Sequence, residues 1–101
     1  MFASIRRYQG HPGRVEETIR LVENGFLPIL KRQPGFVAYY AIEAGQNIVV
    51  SVSIYKDRAS AEAANKAAAA WVTENLSELV DKAGVSVGEV KLVALAPSSQ
   101  L

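Results

Sequence analysis

The 101-residue sequence contains no cysteine, which excludes disulfides, thiolate metal ligands and a cysteine nucleophile. It has one histidine, His11. A lone imidazole without nearby carboxylate or histidine partners does not make a metal site. Neither sign of charge dominates: 11 basic residues stand against 10 acidic ones. That balance gives no electrostatic case for a nucleic acid or an anionic membrane as partner. Long apolar runs are also missing. No stretch approaches the ~20 residues a membrane span needs, and the alanine run near residue 68 is flanked by Glu62, Asn65 and Lys66 on one side and Thr73, Glu74 and Asn75 on the other. The opening residues, Met1-Phe2-Ala3-Ser4-Ile5-Arg6-Arg7, lack the apolar core of a signal peptide. A cytoplasmic protein is the simplest expectation.

Half of the residues are hydrophobic, enough for a real core in a chain of one domain's length. With no repeat and no linker-like stretch, a single domain over 1–101 is expected, its tail from about residue 96 frayed.

Residues 2–9 are short, mixed and β-permissive. His11-Pro12-Gly13 breaks that strand and opens a helix. Val15, Ile19, Val22, Phe26 and Ile29 then recur at spacings of three and four, one apolar helical stripe. Pro28 removes a backbone donor and clashes with the carbonyl of Asn24, with Gly25 beside it, which predicts a kink or a broken last turn. Phe36 to Glu43 and Ile48 to Tyr55 read as two strands around an Ala44-Gly45-Gln46-Asn47 hairpin turn. Asp57 or Ser60 can cap a second helix running to about Val80, its core stripe being Ala61, Ala64, Ala68, Val72, Leu76 and Leu79. Gly84 is expected to end it, and a fourth strand lies within Val85 to Leu95. This order predicts an α+β, ferredoxin-like βαββαβ fold: a four-stranded antiparallel sheet with both helices on one face.

The third strand points to a dimer. Ile48, Val50, Val52 and Ile54 form a clean apolar set, assigned to the helix side; Val49, Ser51, Ser53 and Tyr55 form the opposite, semi-apolar set. By the same parity Tyr39 falls on the second face and Tyr40 in the core, while Arg6 and Arg7 point to opposite faces. A second face this small, aromatic and semi-apolar is a liability in water. Covering it with the same face of another copy under two-fold symmetry predicts a homodimer, with a pocket between or beside the sheets. These assignments all depend on register.

Leu27-Pro28-Ile29-Leu30 followed by Gln33-Pro34-Gly35-Phe36, with Ala63-Ala64-Asn65 and Ala70-Trp71-Val72 in the second helix, resembles the dimeric α+β barrel proteins, and within them the antibiotic biosynthesis monooxygenase-like domains. The likeness covers roughly residues 2 to 95. It implies a dimeric α+β barrel and a cofactor-independent monooxygenase acting on a small aromatic or polyketide-like compound. In such oxygenases an asparagine and a tryptophan on the second helix, with an arginine and a tyrosine elsewhere, are implicated. By type and location the resemblance marks Asn65, Trp71 and Arg6 as catalytic candidates, and the second sheet face supplies Tyr39, Tyr55, Ser51 and Ser53 as substrate-binding candidates. Asn65 and Trp71 lie about 120° apart on an ideal helix, so one ligand reaches both only if the helix bends or the cavity is wide. No cofactor is implied. The haem-degrading members of the fold use a histidine on or after the second helix, where this sequence has none.

Each candidate has a simpler reading. Asn65 can be merely solvated, Trp71 a core or interface anchor, and Ser51 and Ser53 small spacers, since no histidine is positioned to activate them. The competing expectation for function is therefore a non-enzymatic dimer that binds a small apolar or aromatic molecule, or that serves only a structural role.

Overall fold

The computed structural model describes residues 1–97. Strand β1 (Phe2–Gly10) is followed by helix α1 (Val15–Leu21), a π-helical segment (Val22–Phe26) and helix α2 (Leu27–Lys31); then come β2 (Phe36–Glu43), β3 (Ile48–Tyr55), helix α3 (Arg58–Asn75) and β4 (Val80–Glu89). The four strands form one antiparallel sheet in the order β2-β3-β1-β4. This is the expected ferredoxin-like α+β architecture. Among the described residues no helix is long and apolar enough to cross a membrane.

The break near Pro28 takes a specific form. The Leu27 N–H bonds to the Val22 carbonyl, five residues back, and Pro28 follows directly after this widened turn, among the first residues of α2. The widened turn also rotates the apolar stripe. Phe26 and Leu30 are buried after it, while Ile29 is only half-buried. The hairpin forms at the expected place, with Gly45, Gln46 and Asn47 all at positive φ and the Ala44 N–H bonded to the Ile48 carbonyl at 2.8 Å.

Asp57 caps α3 by accepting a hydrogen bond from the Ser60 N–H at 2.8 Å. Ala61, Ala64 and Ala68 bury the stripe that lays α3 close to the sheet. The helix stops at Asn75, five residues short of the expected end, and β4 begins at Val80 instead of Val85. The reason is the pairing of Val80 with Gly10, which pulls Leu76, Leu79 and Val80 onto Tyr8 as a second core cluster. Gly84 does not terminate a helix. It pairs with Arg7 at the point where the β1–β4 register shifts, a common strand role for glycine. Beyond Glu89 the chain leaves the sheet, and Leu92 and Leu95 are exposed. Part of the expected frayed tail, residues 98–101, lies outside the described residues.

The sheet parity is the reverse of the expectation. Val49, Ser51, Ser53 and Tyr55 are the buried, helix-covered set; Ile48, Val50, Val52 and Ile54 lie on the open face. A bulge at Val37 shifts the β2 register, so Phe36 pairs with Tyr55 and Tyr39 with Ser53 on the helix side. Tyr40 pairs with Val52 on the open face and is exposed. Assigning the more apolar set to the interior failed because the interior holds a cavity into which Ser51 and Ser53 face beside Arg6 and Asn65. The open face is the more hydrophobic one, with Ile5, Tyr40 and Ile42 exposed on it beside Val50 and Val52.

Candidate functional site

Strand alternation places Ser4, Arg6 and Tyr8 side by side on the helix-facing side of β1. Their lateral partners on β3 are Ser53, Ser51 and Val49. The covering helices bring Asn65, Ala68 and Trp71 from α3 and Val22 and Phe26 from the π-helical segment. A cavity lies between these layers, with a free volume of about 40 Å³. That space holds a few waters; an aromatic ring takes about 150 Å³, so a ring enters only if lining side chains give way.

All seven residues singled out from the sequence line this cavity: Arg6, Tyr39, Ser51, Ser53, Tyr55, Asn65 and Trp71. The cavity lies between sheet and helices, not on the open face where the substrate-binding set was expected. Asn65 is bonded to Ser4 and Arg6 of β1, while Trp71 packs against Phe26 of the π-helical segment, ring centroids 5.6 Å apart. Both border the one small cavity, Asn65 at its β1 side and Trp71 at its Phe26 side. His11, in the turn after β1, does not line it.

Sequence reasoning overlooked Ser4 and Tyr8. A signal was present: Ser4, Arg6 and Tyr8 share the alternation that carries Ser51 and Ser53.

Arg6 is the electrostatic centre. It is only 5% exposed. Its Nε donates to the Tyr8 hydroxyl at 2.6 Å, and its Nη1 donates to Asn65 Oδ1 at 3.2 Å and to the Asn65 carbonyl at 3.4 Å. Among the described residues no carboxylate pairs with it. Ser4, fully buried, donates its hydroxyl proton to the same Asn65 Oδ1 at 2.6 Å. Ser53 donates to the Ser4 carbonyl at 3.5 Å.

The tyrosines are held neutral. Burial pushes the Tyr39 phenol up to about 12, against a smaller opposing effect of its hydrogen bond with Ser51. Burial likewise raises Tyr55, which packs edge-on against Phe36. Both are hydrogen-bonding hydroxyls at neutral pH, not bases. Among the described residues no histidine, aspartate or glutamate lines the cavity. The arrangement can bind and polarise an oxygen-bearing ring, and it stabilises negative charge.

The family model described as antibiotic biosynthesis monooxygenase matches residues 1–72. No curated protein matches the chain in sequence. Among solved structures, HapK from Hahella chejuensis is 17% identical with a TM-score of 0.77, covering 97% of this chain and 100% of that one. SnoaB from Streptomyces nogalater, described as a cofactor-independent oxygenase, is 17% identical with a TM-score of 0.75, covering 91% and 94%. MhuD, solved as a point mutant with two manganese protoporphyrin IX bound per active site, is 16% identical with a TM-score of 0.76, covering 95% and 100%. At these identities the likeness is one of fold.

Proposed function

Because this chain belongs to the antibiotic biosynthesis monooxygenase family, we propose that it is a cofactor-independent monooxygenase acting on a small aromatic or polyketide-like compound. One observation supports the reading most. A buried arginine without a carboxylate partner, an asparagine and a tryptophan converge on one apolar cavity walled by neutral tyrosines. Arg6 favours the anionic form of a bound electron-rich ring, and the apolar walls from Val22, Phe26 and Trp71 exclude water. The ring anion passes an electron to dioxygen, the two radicals combine at carbon as a peroxide anion, and the proton released earlier returns through water to give the hydroperoxide. Loss of water then turns a ring CH2 into C=O, with one oxygen atom retained and the other leaving as water. Among the described residues no side-chain carboxylate or imidazole lines the cavity, so the ring proton passes to water, its release favoured by the Arg6 charge.

The catalytic roles in this reading fall to Arg6, Asn65 and Trp71, and Tyr39, Tyr55, Ser51 and Ser53 hold the substrate. The protein works as a homodimer in the cytoplasm, closed over the apolar face of the sheet opposite the cavity. The missing general base favours a second reading, a dimeric binding protein for the same class of molecule. Oxygen uptake with a panel of anthrone-like and quinol compounds separates the two. The monooxygenase reading expects uptake with wild type and a large loss in Asn65→Ala. No uptake with any compound leaves the binding reading ahead.

A further inference from the structure

The Asn65 amide has a determinable orientation. Arg6 Nη1 lies 3.2 Å from one atom of the amide, and a guanidinium only donates. That atom is therefore the oxygen, and the Ser4 hydroxyl, 2.6 Å away, donates to it as well. With Oδ1 held from two sides, the Asn65 NH2 has no protein acceptor among the described residues. The same is true of the second terminal nitrogen of Arg6, Nη2. Neither nitrogen is sealed from solvent, because every fully buried side-chain nitrogen or oxygen of the described residues has a partner. Both residues line the cavity.

A buried charge without a counter-charge is costly. Here it stands beside a second unused donor, with no acidic side chain among the described residues lining the cavity. We propose that Ser4 and Arg6 hold Asn65 as a hydrogen-bond donor, so that the polar end of the cavity takes an anionic oxygen of an organic acid and rejects a cation. Ser4 is a positioning residue: it touches no ligand and acts through the amide it orients. This deepens the monooxygenase reading by naming the charge and polarity of the substrate group, and it rests on the same cavity.

Three probes of similar size test it: benzoate, benzyl alcohol and benzylammonium. Trp71 is the only tryptophan and lines the cavity, so its indole N–H resonance reports binding. Benzoate is expected to bind about tenfold or more tighter than the alcohol, and the ammonium compound not to bind. Ser4→Ala removes the shorter of the two hydrogen bonds that hold Oδ1 and leaves Arg6 alone to orient the amide. It is expected to lower the benzoate-to-alcohol ratio about twofold or more, a selective loss that simple loosening of the core does not produce. Where Ser4→Ala fails to fold, Asn65→Asp decides: a carboxylate beside Arg6 cancels the charge and is expected to lower benzoate affinity about tenfold or more. A ratio unchanged in Ser4→Ala, or in Asn65→Asp if that variant has to decide, overturns the proposal. So does wild type that binds no benzoate, or prefers the alcohol or the ammonium. Benzoate offers no CH2 for oxygen to attack, so the two readings separate. Oxygen uptake without carboxylate preference overturns the anion site alone, and carboxylate preference without uptake supports the anion site while the oxygenase reading falls.

Discussion

Gly25 lies flat against the indole of Trp71: a Cβ built on Gly25 would stand 2.8 Å from the ring's Cζ2. The glycine in the π-helical segment therefore sets how far the tryptophan can sit from α1 and α2, and the Phe26–Trp71 wall of the cavity depends on that closeness. Gly25→Ala brings two opposed effects. Alanine is favoured over glycine in a helix by about 1 kcal/mol, whereas pushing a rigid ring out of a packed wall costs about 1–3 kcal/mol. The expected result is a net loss of about 1 kcal/mol in urea unfolding, together with a change in Trp71 emission as the indole moves into the cavity. A more stable variant with unaltered emission would show that the indole is not confined by this glycine.

The open face of the sheet bears on assembly. Val52 sits in its middle, paired laterally with Ile5 on one side and Tyr40 on the other, and both neighbours are exposed. An exposed apolar sheet face of this kind marks an interaction surface, and a standard interface takes ~800 Å² per partner. Wild type should elute as a dimer at micromolar concentration, and Val52→Asp, which puts a charge at the centre, as a monomer. Dimers that persist in Val52→Asp would place the interface elsewhere, and a wild-type monomer would remove it.

How far these features could be read beforehand depended on what each residue competes with. The βαββαβ order was legible because Pro12-Gly13, Pro34-Gly35 and the Gly45–Asn47 turn punctuate runs of clear periodicity. The end of α3 was not. Leu76 and Leu79 continue its stripe in sequence, but the Val80–Gly10 pairing turns the chain there and packs them on Tyr8. The face of β3 was misread for a related reason. Serines at positions 51 and 53 look too polar for the helix-covered side until Ser4, Arg6 and Asn65 supply their polar surroundings. The seven candidate residues nonetheless meet in one cavity, because residue type and rough location outlast an error of face.

The buried charge of Arg6 predicts a conflict between stability and function. Replacing a buried ionic group by an apolar side chain of similar length is often neutral or stabilising, and Arg6 has no carboxylate partner among the described residues to leave stranded. Arg6→Met should therefore leave the unfolding free energy unchanged or raise it by about 1 kcal/mol, while benzoate binding and any oxygen uptake are lost. Urea unfolding and the Trp71 resonance measure the two sides in one preparation. If Arg6→Met is destabilised by several kcal/mol, the bonds from Arg6 to Tyr8 and Asn65 hold the fold, and its charge is not reserved for a ligand.

Tyr39 gives a pH dependence of known sign. Its phenol is raised from 10.0 to about 12, chiefly by burial, so between those values the unfolded chain has lost a proton that the folded chain retains. The stabilising contribution of the neutral, buried phenol is complete below pH 10 and is lost as pH rises through about 12. Two pH units correspond to at most about 3 kcal/mol. Unfolding free energies measured from about pH 9 to 12 should fall in wild type and fall less steeply in Tyr39→Phe, which has no proton to lose. Tyr55, also raised by burial, remains in both proteins, so the difference between the two curves isolates Tyr39. Ultraviolet absorbance of the phenolate should show one tyrosine fewer titrating at high pH in the variant. Parallel stability curves would mean that Tyr39 titrates as an ordinary phenol and that the cavity wall beside it is wet.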